Sequence, residues 1–291
     1  MPRLIAAAVS VVLSVWAVTG AWAACGKAFV RAWEPGARLA AVTGPPSERV
    51  PAGAVGPADR QGAALLAQAR PGTVTLEWLG HSSFLITSPR GVRALTDPNQ
   101  YAPTVQEPHV VTVSNEHFTH NRVESVPGTP RILRPVSPDG RWIPVRAAVR
   151  DVEIFNLASR RNAEWAGLDS RNSIFIFDVD GLCIAHLGNI GHLLTDEQVQ
   201  ALGRIDVVLA PIDSHFTLGY PDLLTVLEKI RPALVVPMHY DNPNHPQLFI
   251  SFLQGRYPVR LVPERRLVLT REGLPPRTTL VVLGAGAGSP D

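Results

Sequence analysis

The stretch Val110-Val-Thr-Val-Ser-Asn-Glu-His-Phe-Thr-His-Asn121 decides the fold and carries the first candidate site residues. Its first four residues, Val110 to Val113, are β-prone, which predicts a buried strand. A polar loop follows directly and holds two histidines three positions apart, His117 and His120. Loops at strand ends are where a rigid scaffold presents metal-ligating imidazoles. The pair alone is weak evidence, because two loop histidines are more often solvated or capping than ligating.

Two further strand ends carry histidines, which strengthens the case for a metal site. The apolar run Leu182 to Ala185 precedes His186-Leu187-Gly188-Asn189, and the run Leu234 to Pro237 precedes Met238-His239. Ligands delivered from several strand ends that are far apart in sequence are how zinc sites are assembled. The spacing therefore predicts a metal site drawn from four histidines: His117, His120, His186 and His239.

The composition describes a globular protein and argues against some partners. The chain has 291 residues, of which 45% are hydrophobic and 18% charged, with a net charge of +2. These values indicate a substantial core and not a disordered chain. No basic run is present, so charge gives no reason to expect nucleic acid as a partner.

Residues 1–24 have the pattern of a secretory signal peptide. Arg3 precedes an apolar run from Leu4 to Val18, and Ala21-Trp22-Ala23 places small residues at the spacing that a signal peptidase recognises. We expect export to the periplasm or beyond, followed by cleavage. Membrane association is expected only through an uncleaved segment or through an acylated Cys25. A disulfide between Cys25 and Cys183 is possible in an oxidising compartment, but the sequence does not establish one.

The remaining chain divides into an arm and one domain. Residues 25–72 include a stretch rich in proline, glycine and alanine, which predicts a linker or an extended arm, with a short helix over Ala63 to Ala69. The domain spans 73–291. Its first half predicts closely spaced strands, and Asp180-Gly181 between two apolar runs predicts a tight hairpin. Its second half alternates helices with buried strands, for example a helix capped by Thr195. This order predicts an α/β sandwich of two facing sheets with helices outside.

Five blocks of this domain resemble the metallo-β-lactamase superfamily: Trp78 to Ile86, Thr96 to Pro98, Thr112 to Asn121, Ala185 to His192 and Val236 to Tyr240. The branch that they resemble contains L-ascorbate-6-phosphate lactonase and N-acyl phosphatidylethanolamine phospholipase D. The resemblance covers about Thr73 to Leu283. It implies the αββα sandwich of that superfamily, with the active site along one edge of the paired sheets.

The metal motif departs from the pattern of the family at several positions. The family's His-x-His-x-Asp-His motif aligns with Asn115, His117, Thr119 and His120, and its bridging aspartate aligns with Asn189. His239 matches the final ligand. Two divalent ions would be poorly compensated without the two carboxylates, and asparagine oxygens are weak zinc ligands. The resemblance therefore implies at most one zinc ion, held by histidines, or no metal.

Four other polar residues are expected to line the pocket. His81 follows a glycine in a turn, where a hydrogen bond that holds the loop is the simpler role. Asp97 is expected to support the site from a strand end. Asp213 and His215 are expected either to form an orienting or acid–base pair or to be solvated loop residues.

Two functions stay open on sequence alone. The first is an exported hydrolase that cleaves an ester, lactone or phosphodiester bond of a small-molecule or lipid-like substrate, with one zinc-activated water. The second is an inactive, metal-free binding protein of the same fold. Asn115, Thr119 and Asn189 motivate the second function, since these residues replace metal ligands yet stay polar.

Overall fold

The computed structural model describes Cys25 and residues 72–101, 106–136, 141–162 and 170–285. The predicted signal peptide, almost all of the predicted arm and the predicted helix over Ala63 to Ala69 lie outside these residues. The described strands are β1 Val74–Gly80, β2 Ser83–Thr87, β3 Arg93–Thr96, β4 Val110–Thr112, β5 Arg131–Leu133, β6 Arg146–Val149, β7 Val152–Arg160, β8 Arg171–Val179, β9 Leu182–His186, β10 Val207–Pro211, β11 Leu234–Met238, β12 Val259–Val262, β13 Arg266–Leu269 and β14 Thr279–Leu283. The helices are α1 Asp196–Leu202, α2 Tyr220–Ile230 and α3 His245–Leu253, with one 3-10 turn at Val123–Ser125.

The strands form two sheets that share one apolar core. The six-stranded sheet has the order β13-β1-β2-β3-β4-β5, and the eight-stranded sheet has the order β12-β14-β11-β10-β9-β8-β7-β6. Phe84 of the first sheet and Phe175 and Phe177 of the second are fully buried in the same core. Burial of such side chains is the main favourable term in folding. The predicted two-sheet α/β sandwich is confirmed.

Strand direction explains why one edge of the sandwich collects polar loops. In the first sheet β1 and β3 are both antiparallel to β2, and β4 is parallel to β3, so the carboxyl ends of β1, β3 and β4 lie on one edge. In the second sheet β9, β10 and β11 are mutually parallel. Two hydrogen bonds join these edges across the sheets: from His239 N to the carbonyl of His81 over 2.9 Å, and from Ser173 N to the carbonyl of Ser114 over 2.8 Å.

Most predicted elements match the structure. The Asp180-Gly181 hairpin is confirmed, with both residues at positive φ as a tight two-residue turn requires. The Thr195 cap of α1 is also confirmed: its hydroxyl accepts from Gln198 N, and the Gln198 side chain accepts from Thr195 N. Strand β12 is not predicted, because three of its four residues are exposed and it gives no buried apolar run.

A disulfide joins Cys25 to Cys183 over a separation of 158 residues. Cys183 lies in β9, and Cys25 is buried and forms a β-bridge with Gly203 after α1. The disulfide that the sequence leaves open is therefore present in the structure. None of the helices in the described ranges has both the length and the apolar character needed to span a bilayer.

Candidate metal centre

Three buried histidines meet at the polar edge of the sandwich. His81 follows β1, His120 lies in the loop after β4, and His239 follows β11, so both sheets contribute. One ligand atom of each residue lies within 4.8 Å of the other two. Nε2 of His120 and Nε2 of His239 are 3.1 Å apart, and the rings of His81 and His239 are 4.2 Å apart between centroids. Among the described residues, no other group of three or more histidines, cysteines, aspartates or glutamates brings its ligand atoms this close together.

Asp97 holds the far side of the His120 ring. Its Oδ2 lies 2.6 Å from Nδ1 of His120 and accepts from the Ser114 hydroxyl over 2.6 Å. Its Oδ1 accepts from Ser114 N over 2.7 Å. All three residues are fully buried. A carboxylate at Nδ1 keeps the ring proton there, which leaves the lone pair on Nε2 for a ligand.

Asp213 is placed in the same way behind His239. Its Oδ2 lies 3.1 Å from Nδ1 of His239. The loop after β10 carries Asp213, whereas β11 delivers His239, and both side chains are almost fully buried. His120 and His239 therefore each have a carboxylate partner of their own.

The electrostatics favour neutral rings at His81 and His120 and charged carboxylates at Asp97 and Asp213. Burial lowers the pKa of His120 to about 4, although Asp97 opposes the shift. Burial and the neighbouring His239 and His120 also lower the pKa of His81. Burial raises the pKa of Asp97, but the histidine charges and hydrogen bonds outweigh it, so the pKa lies below its usual value. The pKa of Asp213 is lowered by His239 and by the loop donors in the same way, against burial. Neutral imidazoles beside ionised carboxylates are the protonation states that a metal ion needs.

Three residues at this edge have strained backbone conformations. His81, Asp97 and His239 have φ values of 49°, 39° and 58°, which lie in the left-handed region. Side chains with a Cβ rarely adopt this region, and such residues gather at functional sites, where the surrounding structure holds them.

His186 and His117 lie outside this three-histidine group, unlike the sequence prediction. Nε2 of His186 donates to the carbonyl of Ser82 over 2.8 Å, and Nδ1 accepts from Gly188 N over 3.2 Å. Both ring nitrogens are thus used, and His186 holds two loops together. His117 is half-buried, with Nδ1 2.8 Å from the Thr119 hydroxyl and its ring centroid 6.3 Å from that of His120.

The three positions where the resemblance implies altered ligands are all in the neighbouring loops. Asn115 donates to the Ser114 hydroxyl and accepts from His117 N. Thr119 is the partner of His117. Asn189 is 2% exposed, and its Oδ1 makes no hydrogen bond to any described residue.

Gly188 allows the Asn189 loop to approach this closely. Gly188 has a φ of +60°, and a Cβ there would lie 2.4 Å from the Asn172 side chain and 2.8 Å from Ser114. The Asn172 side chain also accepts from Asn189 N over 2.8 Å. The loop after β9 is therefore pressed against the loop after β4.

The sequence prediction and the structure differ most at His81 and Asp213. The expected loop contact of His81 exists, since Nδ1 lies 3.1 Å from the Ser82 hydroxyl, but the ring also joins the histidine group. The available signal was its position at the carboxyl end of β1, the same rule that selects the other strand-end histidines. Asp213 approaches the ring of His239, while His215 reaches Asp213 through its backbone N–H over 3.4 Å. Asp97 follows β3, and its carboxylate contacts the ring of His120.

A family model and several known proteins are similar to this chain in sequence. Residues 75–239 match the family model described as Beta-lactamase superfamily domain. A UPF0173 metal-dependent hydrolase of Pyrobaculum neutrophilum is 25% identical over 193 residues, which span 57% of this chain and 84% of the relative. A UPF0173 metal-dependent hydrolase of Methanosarcina barkeri is 26% identical over 193 residues, with 57% of this chain and 83% of the relative covered.

Two solved structures share the fold. One, from Thermotoga maritima, is described as a candidate Zn-dependent hydrolase of the metallo-beta-lactamase superfamily; it has a TM-score of 0.55, 26% identity, and covers 72% of this chain and 98% of its own. The other, described as a candidate metal-dependent hydrolase from Parabacteroides distasonis, has a TM-score of 0.52 and 16% identity, with 63% and 89% covered.

Proposed function

Because the chain belongs to the beta-lactamase superfamily, we propose that it is a metal-dependent hydrolase whose metal ion is held by His81, His120 and His239. The observation that best supports this proposal is the 3.1 Å distance between Nε2 of His120 and Nε2 of His239. Each ring has a carboxylate oxygen near Nδ1, at 2.6 Å for His120 and 3.1 Å for His239. With a proton on Nδ1 of each ring, both Nε2 atoms would present lone pairs to each other. Two facing lone pairs at this distance repel unless a cation lies between them. Two nitrogens on a tetrahedral zinc stand about 3.3 Å apart, which fits.

One zinc ion is the proposed cofactor. Three neutral imidazoles with a water in the fourth position form a standard catalytic zinc site. Bound zinc would lower the pKa of its water to about 7 and polarise the scissile group. Asp97 and Asp213 would keep His120 and His239 in the tautomer that offers Nε2.

Two further residues are proposed to handle the protons of the reaction. The buried Oδ1 of Asn189 has no hydrogen-bond partner among the described residues, so it can accept a hydrogen bond from the attacking water and orient it. Burial and the charge of Arg161 lower the pKa of His117, so its half-buried ring is neutral at pH 7. A neutral imidazole beside the centre can take a proton from the water and pass it to the leaving group.

The proposed substrate is a small molecule or lipid-like molecule with an ester, lactone or phosphodiester bond. Phe118 and Phe216 are 61% and 49% exposed on the loops that carry His120 and Asp213. Exposed aromatic rings beside a polar centre favour a substrate with an apolar part. The similarity of the sequence blocks to the lactonase and phospholipase D branch motivates these bond types.

Export is proposed on two observations. The pattern of residues 1–24 predicts a signal peptide, and a disulfide between buried cysteines is typical of an oxidising compartment. A cysteine in a disulfide has no thiol to acylate, so anchoring through Cys25 is not part of the proposal.

The test is hydrolysis by the purified, zinc-loaded protein on a panel of aryl esters, lactones and bis-aryl phosphodiesters. We expect turnover of at least one class, abolished by His120→Ala and by chelation and restored by zinc after chelation of the parent protein. A protein that retains no metal and turns over no member of the panel would overturn the proposal and favour the metal-free binding protein.

A further inference from the structure

The loop after β10 is organised around the carboxylate of Asp213. Oδ1 of Asp213 accepts from the hydroxyl of Thr217, from Thr217 N over 3.2 Å and from His215 N over 3.4 Å. Three donors from two residues of the same loop thus fix one oxygen of this side chain. A carboxylate held by neighbouring backbone and hydroxyl groups is pre-positioned, so its second oxygen points in a defined direction.

That second oxygen faces His239 alone. Oδ2 of Asp213 lies 3.1 Å from Nδ1 of His239, and neither atom makes a regular hydrogen bond to a described residue. The side chains are 9% and 5% exposed. The pair is at ion-pair distance but is not aligned as a regular hydrogen bond. Buried polar atoms at this distance are each other's natural partners.

The pair repeats an arrangement on the opposite sheet. Asp97 follows β3 of the first sheet, is held by Ser114 and contacts Nδ1 of His120. Asp213 follows β10 of the second sheet, is held by Thr217 and contacts Nδ1 of His239. The two rings then meet through their Nε2 atoms. Each sheet therefore delivers one imidazole together with the carboxylate that orients it.

These two carboxylates also set the charge of the centre. Thr119 and Asn189 in the adjacent loops are neutral. Glu116 is turned away, because its carboxylate binds Arg134 and accepts from Asn121. Two buried carboxylates are balanced by one divalent cation, and a second divalent cation would leave an uncompensated charge of +2.

We propose that Asp213 is a positioning residue that fixes His239 as a metal ligand and, with Asp97, limits the centre to one divalent ion. The proposal rests on the proposed function, because it takes the metal site of His81, His120 and His239 as its basis. Asp213 acts through the ring of His239.

The experiment measures zinc affinity of the intact protein by competition with a chromophoric chelator. We expect Asp213→Asn to weaken zinc binding about 10–100-fold, the range usual for partners of ligating histidines. Asp222→Asn, an exposed carboxylate on α2, is the matched control and should bind as the parent does. Equal affinity of Asp213→Asn and the parent would overturn the positioning role while leaving the metal site intact.

A double-mutant cycle separates positioning from a general structural role. If Asp213 acts through His239, then adding Asp213→Asn to His239→Ala should change the zinc affinity by less than about 2-fold, because the shared path is already lost. Independent, multiplying effects would contradict the proposal. The thermal midpoint of each metal-free variant shows whether it folds, and Asp213→Glu offers a variant that retains the charge if Asp213→Asn does not fold.

Elemental analysis at saturating zinc tests the limit of one ion. We expect one zinc per chain, and two would overturn the charge argument. A parent protein that binds no zinc would overturn both this proposal and the proposed function, whereas a zinc-binding parent with an unaffected Asp213→Asn variant overturns this proposal alone. Cobalt(II) absorption gives a second readout, since loss of an oriented imidazole changes the d–d bands.

Discussion

The backbone N–H of His239 donates to the carbonyl oxygen of His81 over 2.9 Å, and the two rings lie 4.2 Å apart. This contact joins the first strand of one sheet to β11 of the other. It fixes both residues in left-handed backbone conformations, with φ values of 49° and 58°. Strained residues of this kind gather at functional sites, so the two φ values agree with a role of His81 and His239 in the proposed metal centre.

His81→Ala should weaken zinc binding by about 100-fold or more, comparable to His120→Ala, because both remove a ligand and not merely the partner of a ligand. Competition titration with a chelator gives the affinities. His215→Ala, in the exposed loop after β10, serves as the control. If His81→Ala bound zinc as the parent does, while His117→Ala lost it, the ligand set predicted from sequence would replace the one proposed from the structure.

His117→Gln should lower kcat by about 100-fold or more while zinc affinity stays within a few-fold of the parent. The half-buried ring lies outside the three-histidine group, so its loss removes proton transfer and not metal binding. Steady-state kinetics on the best substrate of the panel, with metal content measured in parallel, gives both values. A variant that loses zinc together with activity would show that His117 is a ligand.

The metal-free protein should lose stability as the pH falls from about 6.5 to about 4. Burial lowers the pKa of His120 to about 4, so in this window the unfolded chain binds a proton that the folded chain resists. The contribution is present above pH 6.5 and is lost as the pH falls, with an upper limit of roughly 3 kcal/mol. Thermal unfolding midpoints of the metal-free protein, measured between pH 7 and pH 4, should show this loss of stability.

His120→Gln should make this pH dependence smaller, because glutamine does not titrate, and the part that remains comes from histidines such as His81, whose pKa burial also lowers. A parent protein with the same midpoint at pH 7 and pH 4 would contradict the assignment. Below about pH 3.8 a further loss is expected from Asp97 and Asp213, whose pKa values are lowered in the folded state.

Breaking the disulfide should destabilise the domain by about 2–5 kcal/mol, because Cys25 and Cys183 close a long loop in the unfolded chain. Cys25→Ser and the Cys25→Ser, Cys183→Ser double variant should lose similar stability in denaturant titrations. The parent isolated from an oxidising compartment should have no free thiol. Free thiols in that protein, or a parent as stable after reduction as before, would count against the bridge.

The fold was predictable from sequence to a large extent, and the reason is physical. Apolar runs such as Val110 to Val113 and Leu234 to Pro237 are buried on both faces, so periodicity and composition identify them directly. β12 could not be identified in this way, because only Val262 of its four residues is buried. The Asp180-Gly181 turn was predictable because few dipeptides satisfy its two positive φ values.

The candidate site was predictable only in part, because sequence gives strand ends but not the distances between them. His120, His239 and Asp97 follow from their positions after β4, β11 and β3. The assignment of Asp213 to His239 and not to His215 depends on how the loop after β10 folds around one carboxylate oxygen. His186 sits at a strand end like the others, but its hydrogen bonds to Ser82 and Gly188 could not be read from spacing.

The most direct measurement is the zinc content of the purified mature protein after loading and dialysis against metal-free buffer. We expect one zinc per chain, lost in a His81→Ala, His120→Ala double variant whose circular dichroism spectrum matches that of the parent. Retention of zinc by that double variant, or no retained zinc in the parent, would contradict a metal centre built from His81, His120 and His239.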